Sequence, residues 1–238
     1  MPRQIPIDTV ISAVLNGYVL AQQQYDYMTG GWWLWKAPEY FITSCIAQSL
    51  HAMEGPKYIT LEHGSKSALE DAGAKRKGKL AKDLRASGKV DILFWWGSEL
   101  PRAIIEVKNQ VYATVQYEKD IKRIKAFLKC NTDESSFQFG IFSFYQSASD
   151  GSRKPAQQKV KDRVESIFNR TIAILGEDYK ASLYTTEMRQ DGIDSAWQAG
   201  VVLIKSKKQR ITSGSTEPAH LWRGVRPGIA LCNPTIKE

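Results

Sequence analysis

Residues 90–108 read VDILFWWGSELPRAIIEVK, two strand-length runs around the turn-like stretch Gly97-Ser98-Glu99-Leu100-Pro101. β-branched and aromatic residues fill both runs, which predicts an antiparallel hairpin. A hairpin centred between Ser98 and Glu99 sets Asp91 opposite Glu106. Directly opposed residues project from one face with Cβ atoms roughly 4.5–5.5 Å apart. Lys108 shares that face, because side chains alternate along a strand. Ile92, Phe94, Ile105 and Val107 then point the other way, into a core. Two carboxylates and an ammonium therefore converge at one end of an otherwise apolar hairpin, provided no bulge breaks the register.

Working outward, Asp8 to Tyr27 predicts a helix with Ile11, Val14, Leu15, Tyr18 and Val19 on one face, stopped by Gly30-Gly31. A dense aromatic patch, Trp32-Trp33-Leu34-Trp35, follows. Pro38 to Met53 predicts a second helix with Pro38 at its first position and a stripe of Phe41, Ile42, Cys45, Ile46, Leu50 and Met53. Tyr58 to Leu61 reads as a short strand, and Gly64 to Lys89 as a loop or a solvated helix. Beyond the hairpin, a helix is expected over Thr114 to Cys130, with Val115, Ile121, Ile124, Phe127 and Leu128 inward. Phe137 to Tyr145 reads as a strand buried on both faces. A helix over Lys154 to Leu175, ended by Gly176, and strands over Ala181 to Met188 and Trp197 to Lys205 complete the pattern. The succession predicts an α/β sandwich, a central mixed β-sheet flanked by helices. Residues 1–36 form an N-terminal helix and Trp-rich segment, 37–205 the core, and 206–238 an irregular tail.

The chain has 238 residues, with 33 Lys and Arg against 25 Asp and Glu, a net charge of +8 that favours a polyanionic partner. No apolar run approaches the ~20 residues that span a bilayer, so no membrane partner is expected. The opening MPRQIPIDTV lacks the pattern of a secretory signal, which makes the cytoplasm the expected compartment. Cys45, Cys130 and Cys232 make neither a disulfide framework nor a zinc spacing, and read as small core hydrophobes. His51, His63 and His220 show no paired spacing. No GxSxG elbow or phosphate-cradling glycine loop supports acyl transfer or ATP hydrolysis.

The converging triplet carries the chemistry. Paired carboxylates suit a hard divalent cation, since Mg²⁺ takes one or two carboxylates plus waters and phosphate oxygens. A neighbouring lysine can orient or deprotonate the attacking water and stabilise charge on a phosphate. The set suits in-line hydrolysis of a phosphodiester. The competing structural reading is an internal ion pair, or polar strand ends reaching solvent.

Val90-Asp91, followed after a turn by Glu106-Val107-Lys108, resembles the PD-(D/E)xK nuclease superfamily, with Val90 in place of the nominal proline. The resemblance covers roughly Pro38 to Tyr145. A similar string, Asp162 with Asp178-Tyr179-Lys180, lacks strands on both sides. The resemblance implies a restriction-endonuclease-like fold and a Mg²⁺- or Mn²⁺-dependent nuclease, acting on DNA in restriction, defence, repair or recombination. Asp91 and Glu106 would be metal ligands, the Val107 carbonyl a further oxygen ligand, and Lys108 the catalytic lysine. Many members place another acid on the helix before the hairpin. Glu39 is the candidate by position, although a helix N-terminus also favours an acid there. Gln116 is the candidate for the accessory glutamine that some branches carry. Cutting both strands of a duplex would favour a homodimer.

Lys75, Arg76, Lys77, Lys79, Lys82, Arg85 and Lys89 lead into the site and are expected to contact phosphates. Lys119, Lys122, Arg123, Lys125 and Lys129 offer either phosphate contacts or an ordinary solvated face. Trp32, Trp33 and Trp35 are expected to pack in the core rather than stack on bases or form a subunit interface. The rival functions are a catalytically silent nucleic-acid-binding or assembly module of the same fold, and a glycosidase using Asp91 and Glu106. Lys108 and the basic surface fit sugar chemistry poorly.

Overall fold

The computed structural model describes residues 5–74, 88–129, 135–151, 153–190 and 194–207. A seven-stranded mixed sheet forms its centre. The elements run α1 (Ile7–Thr29), α2 (Glu39–His51), β1 (Lys57–Gly64), α3 (Ser65–Asp71), β2 (Lys89–Trp96), β3 (Pro101–Lys108), α4 (Glu118–Lys129), β4 (Phe139–Ser149), α5 (Ala156–Leu175), β5 (Tyr179–Thr185), β6 (Arg189–Gln190) and β7 (Ser195–Ser206). Short 3₁₀ turns span Leu34–Lys36 and Thr114–Gln116. The strand order is β1-β2-β3-β4-β7-β5, with β6 beside β7. Among the described residues only β3 and β4 pair in parallel, and α4 lies in the connection between them.

Strand alternation sorts the core into two layers. Ile92, Phe94, Ile105 and Val107 face α1 and α2, while Leu93, Ile104, Phe142 and Phe144 face α4 and α5. The two helix pairs meet the sheet by burying apolar stripes, which is what their sequence periodicity demands. Gly17 allows α1 to lie against α2, since a Cβ there would fall 2.5 Å from the Ile46 Cα. Gly30, at φ 69°, closes α1 in the left-handed conformation that glycine accepts at no steric cost.

The hairpin reaches its register by an indirect route. Trp95 lies opposite Pro101, but Phe94 lies opposite Ala103, so Arg102 is an extra residue on β3. That bulge resets the pairing to Leu93 opposite Ile104 and Ile92 opposite Ile105, the register that a symmetric turn would have set. Arg102 is held inside: its guanidinium lies 3.9 Å from the Trp96 ring centre and donates to the Ile5 carbonyl at 2.6 Å. Burial pushes its pKa down to about 10.

Several expectations are corrected. The 64–89 stretch begins with a helix, α3, which buries Ala68 and Leu69. Val115 is 71% exposed rather than inward, because the chain is still in its 3₁₀ turn there and α4 begins only at Glu118. Trp32 and Trp35 are 53% and 45% exposed rather than core. Pro38 is the N-cap of α2 and Glu39 its first residue. Cys45 is buried as expected. Lys75, Arg76, Lys77, Lys79, Lys82, Arg85, Cys130, Cys232 and the 208–238 tail lie outside the described residues. Among the described residues no helix is long and apolar enough to cross a membrane.

Candidate active site

Hairpin pairing stops at Ile92 and Ile105, and the next residue on each strand is an acid. Asp91 Oδ2 accepts a hydrogen bond from the Val107 amide at 2.7 Å, taking over where the β2 ladder ends. Amide and carbonyl of one strand residue point to the same side, so the Val107 carbonyl faces that same gap. On the other side, β3 stays paired with β4 through Lys108. The end of β3 that carries Glu106 and Lys108 is thus fixed along one edge and beyond the ladder along the other.

Glu106 is wholly buried, and both its oxygens accept from Arg123 Nη1, at 2.8 and 2.9 Å. Arg123 also donates to the Lys89 carbonyl at 3.0 Å and lies 3.3 Å from Asp120 through Nη2. Its Nε is a buried donor without a partner among the described residues. Lys108 Nζ donates to Glu39 Oε1 at 2.8 Å and lies 3.5 Å from Asp120 Oδ2. Glu39 Oε2 accepts from the Asn109 amide at 3.2 Å. Its place in the first turn of α2 also lets it interact favourably with the helix dipole.

Below this cluster, Ser143 Oγ donates to the Glu106 carbonyl at 3.1 Å. The buried Tyr18 hydroxyl lies 3.2 Å from both the Lys108 carbonyl and Ser143 Oγ, and donates its one proton to one of them. These contacts lock the backbone on both sides of Val107.

Electrostatics follow from the crowding. Burial pushes the Asp91 carboxyl above its ordinary range, helped by Glu39 and Asp120 and opposed by the Val107 amide and Lys108. Burial likewise raises Asp120, against the pull of Lys108 and Arg123. Burial and Asp91 push Glu106 well up, opposed by Arg123, whose Nη1 lies within ion-pair distance of its carboxylate. Its charge is held in place by Arg123. Burial alone would lower the Lys108 ammonium, but Asp120, Glu39 and Asp91 together hold it above its ordinary value. Lys108 therefore remains a cation at neutral pH and is unsuited to act as a base.

Asp91, Glu106, Lys108 and Glu39 all belong to this cluster. Sequence reasoning missed Asp120 and misread Arg123, which is buried on Glu106 rather than turned to solvent. Both sit three apart on the stripe that carries Ile124 and Phe127, and charged residues at core-facing positions were the available signal. Gln116 instead caps its own turn, with Oε1 accepting from the Tyr112 and Ala113 amides at 2.6 and 2.9 Å. Lys89 is exposed at the strand start, 3.9 Å from Glu62. Lys125 donates to the Ile174 carbonyl instead of facing outward. Asp162, the first acid of the rival string, is tied to Lys154 and Gln158 on α5.

Four carboxylates (Glu39, Asp91, Glu106 and Asp120) share two cations, Lys108 and Arg123. The donors are oxygens, which suits Mg²⁺ or Mn²⁺ over softer metals. Among the described residues no three His, Cys, Asp or Glu side chains are disposed to hold an ion unaided. Comparison with protein-family models, with curated proteins and with solved structures finds no match for the chain.

Proposed function

We propose that the protein is a divalent-metal-dependent nuclease that hydrolyses phosphodiester bonds in DNA, built on a restriction-endonuclease-like fold. The observation that carries this reading is the gathering of four carboxylates, Glu39, Asp91, Glu106 and Asp120, around only two cations, Lys108 and Arg123. Packing alone gives no reason to gather that much uncompensated charge, because buried charge is costly unless paired. A hard dication offsets it.

Asp91, Glu106 and the Val107 carbonyl would hold the ion, which supplies Lewis-acid polarisation of the phosphate and activation of water. The protein's own part is positional and electrostatic. The Val107 amide orients Asp91. Glu39 and Asp120 aim the Lys108 ammonium, which stays protonated and offsets negative charge gathering on the phosphate oxygens. Water adds to phosphorus, giving up a proton to solvent, as the P–O3′ bond breaks and the departing O3′ takes a proton from solvent. The resemblance implies 5′-phosphate and 3′-hydroxyl ends. Arg123 competes with the ion for Glu106.

A second reading, a silent nucleic-acid-binding module, draws support from that same Arg123, which already neutralises Glu106. Purified protein incubated with plasmid and linear DNA, in Mg²⁺ or in EDTA, separates the two. Cleavage in Mg²⁺ that is lost in EDTA and in Asp91→Ala supports the nuclease. Binding without cleavage supports the silent module, and cleavage that survives both EDTA and Glu106→Ala removes the proposed site.

A further inference from the structure

The chain leaving Lys108 runs straight into a second feature. Asn109 Nδ2 donates to the carbonyls of Leu34, Trp35 and Ala37, at 3.1, 3.2 and 2.8 Å, and so pins the Trp-rich segment to the end of β3. Gln110, the next residue, bonds to Ser147 through both ends of its amide. Between them opens a groove of about 430 Å³, a size typical of ligand sites. Trp32, Trp35, Lys36, Tyr112, Lys159 and Arg163 are among its lining residues, and among the described residues no carboxylate lines it.

Its surface combines two properties. Three large aromatic side chains stand open to solvent, Trp32, Trp35 and Tyr112, the last 67% exposed. Cations lie over them: Lys36 Nζ is 4.5 Å from the Trp32 ring centre and 5.4 Å from that of Trp35, and the Arg163 guanidinium is 5.5 Å from that of Tyr112. Arg163 and Lys159 are anchored by donating to the Ser147 and Ser149 carbonyls, at 2.8 and 2.9 Å. Exposed aromatic rings beside cations match a polyanion that carries flat rings. In a duplex each base face is covered by its neighbours, whereas in a single strand it is free to stack on an aromatic side chain.

We propose that this groove binds unpaired nucleotides of DNA, so that the substrate class is DNA with a single-stranded segment or end lying beside Lys108. The catalytic half of that statement rests on the nuclease reading; the binding half does not. Labelled oligothymidylate and a blunt duplex of equal length, titrated in EDTA and read by fluorescence anisotropy, test it. The oligothymidylate is expected to bind at least tenfold more tightly than the duplex and to quench tryptophan fluorescence. Trp32→Ala/Trp35→Ala and, separately, Tyr112→Ala are expected to weaken it about 10- to 100-fold. Equal binding by both aromatic variants, or preference for the blunt duplex, overturns the proposal. The two readings fail separately. Tight single-strand binding with no cleavage in Mg²⁺ sinks the nuclease alone, and Mg²⁺-dependent cleavage with unchanged binding by the aromatic variants sinks the groove alone.

Discussion

Arg123 grips Glu106 through a single nitrogen that reaches both carboxylate oxygens, at 2.8 and 2.9 Å, in a pocket where Glu106 has no exposure at all. Removing one partner of such a pair strands the other as a buried charge, at a cost of about 3–5 kcal/mol. Arg123→Met and Glu106→Leu are each expected to destabilise the fold by that order in urea unfolding. The double variant should recover most of the loss. Additive losses would show that the pair is not coupled.

Lys108→Met is expected to lower kcat by about 10²–10³-fold with a smaller change in KM, the scale found when one stabilising group is removed from a transition state. Because its acidic neighbours hold the ammonium above its ordinary value, the rate should show no alkaline decline from Lys108 up to about pH 10. A fall in rate near pH 8 that disappears in Lys108→Arg would assign the lysine a different role.

Asp91 carries a raised pKa, so its folded form binds a proton more tightly than its unfolded form. Its stabilising contribution is present below the unfolded value of about 4 and is lost as pH rises through the folded value. Asp91→Asn keeps an acceptor for the Val107 amide while removing the charge. At pH 7.5 it should melt at a higher temperature than wild type, and the advantage should shrink as the pH approaches 4. Mg²⁺ or Mn²⁺ should raise the wild-type melting temperature, by binding only the folded form, and leave the variant unmoved. A lower melting temperature for Asp91→Asn at pH 7.5 would contradict the crowding described at the site.

Gly17→Ala should be harmful although alanine is the better helix former. Its Cβ would meet the Ile46 backbone at 2.5 Å and force α1 away from α2. The expected cost is about 1–3 kcal/mol, with loss of cleavage because α1 carries Tyr18 and α2 carries Glu39. A stabilised, fully active variant would show that the two helices can separate without disturbing β3.

Much of this architecture was legible because periodicity encodes faces. The hairpin's alternation placed Asp91, Glu106 and Lys108 together, and the apolar stripes located the long helices. The register, however, came out right for an incomplete reason. Arg102 bulges to reach Trp96 and the Ile5 carbonyl, a choice set by tertiary packing that no local pattern announces. Arg123 reads from sequence as one cation among several on a charged helix, Asp120 does not stand out beside it, and only the partner strand makes the two interior. Trp32 and Trp35 were read by hydrophobicity, which says how much a side chain gains from burial but not whether the fold offers it a site. Val115 failed for want of the helix start at Glu118.

The central claim is that the carboxylates beside Lys108 exist to hold a divalent cation. Anomalous scattering from a crystal equilibrated with Mn²⁺ tests this most directly. The account predicts a single strong peak between Asp91 and Glu106, with the Arg123 guanidinium drawn back from Glu106. No peak there at saturating Mn²⁺, with Arg123 still bonded to both Glu106 oxygens, would contradict it.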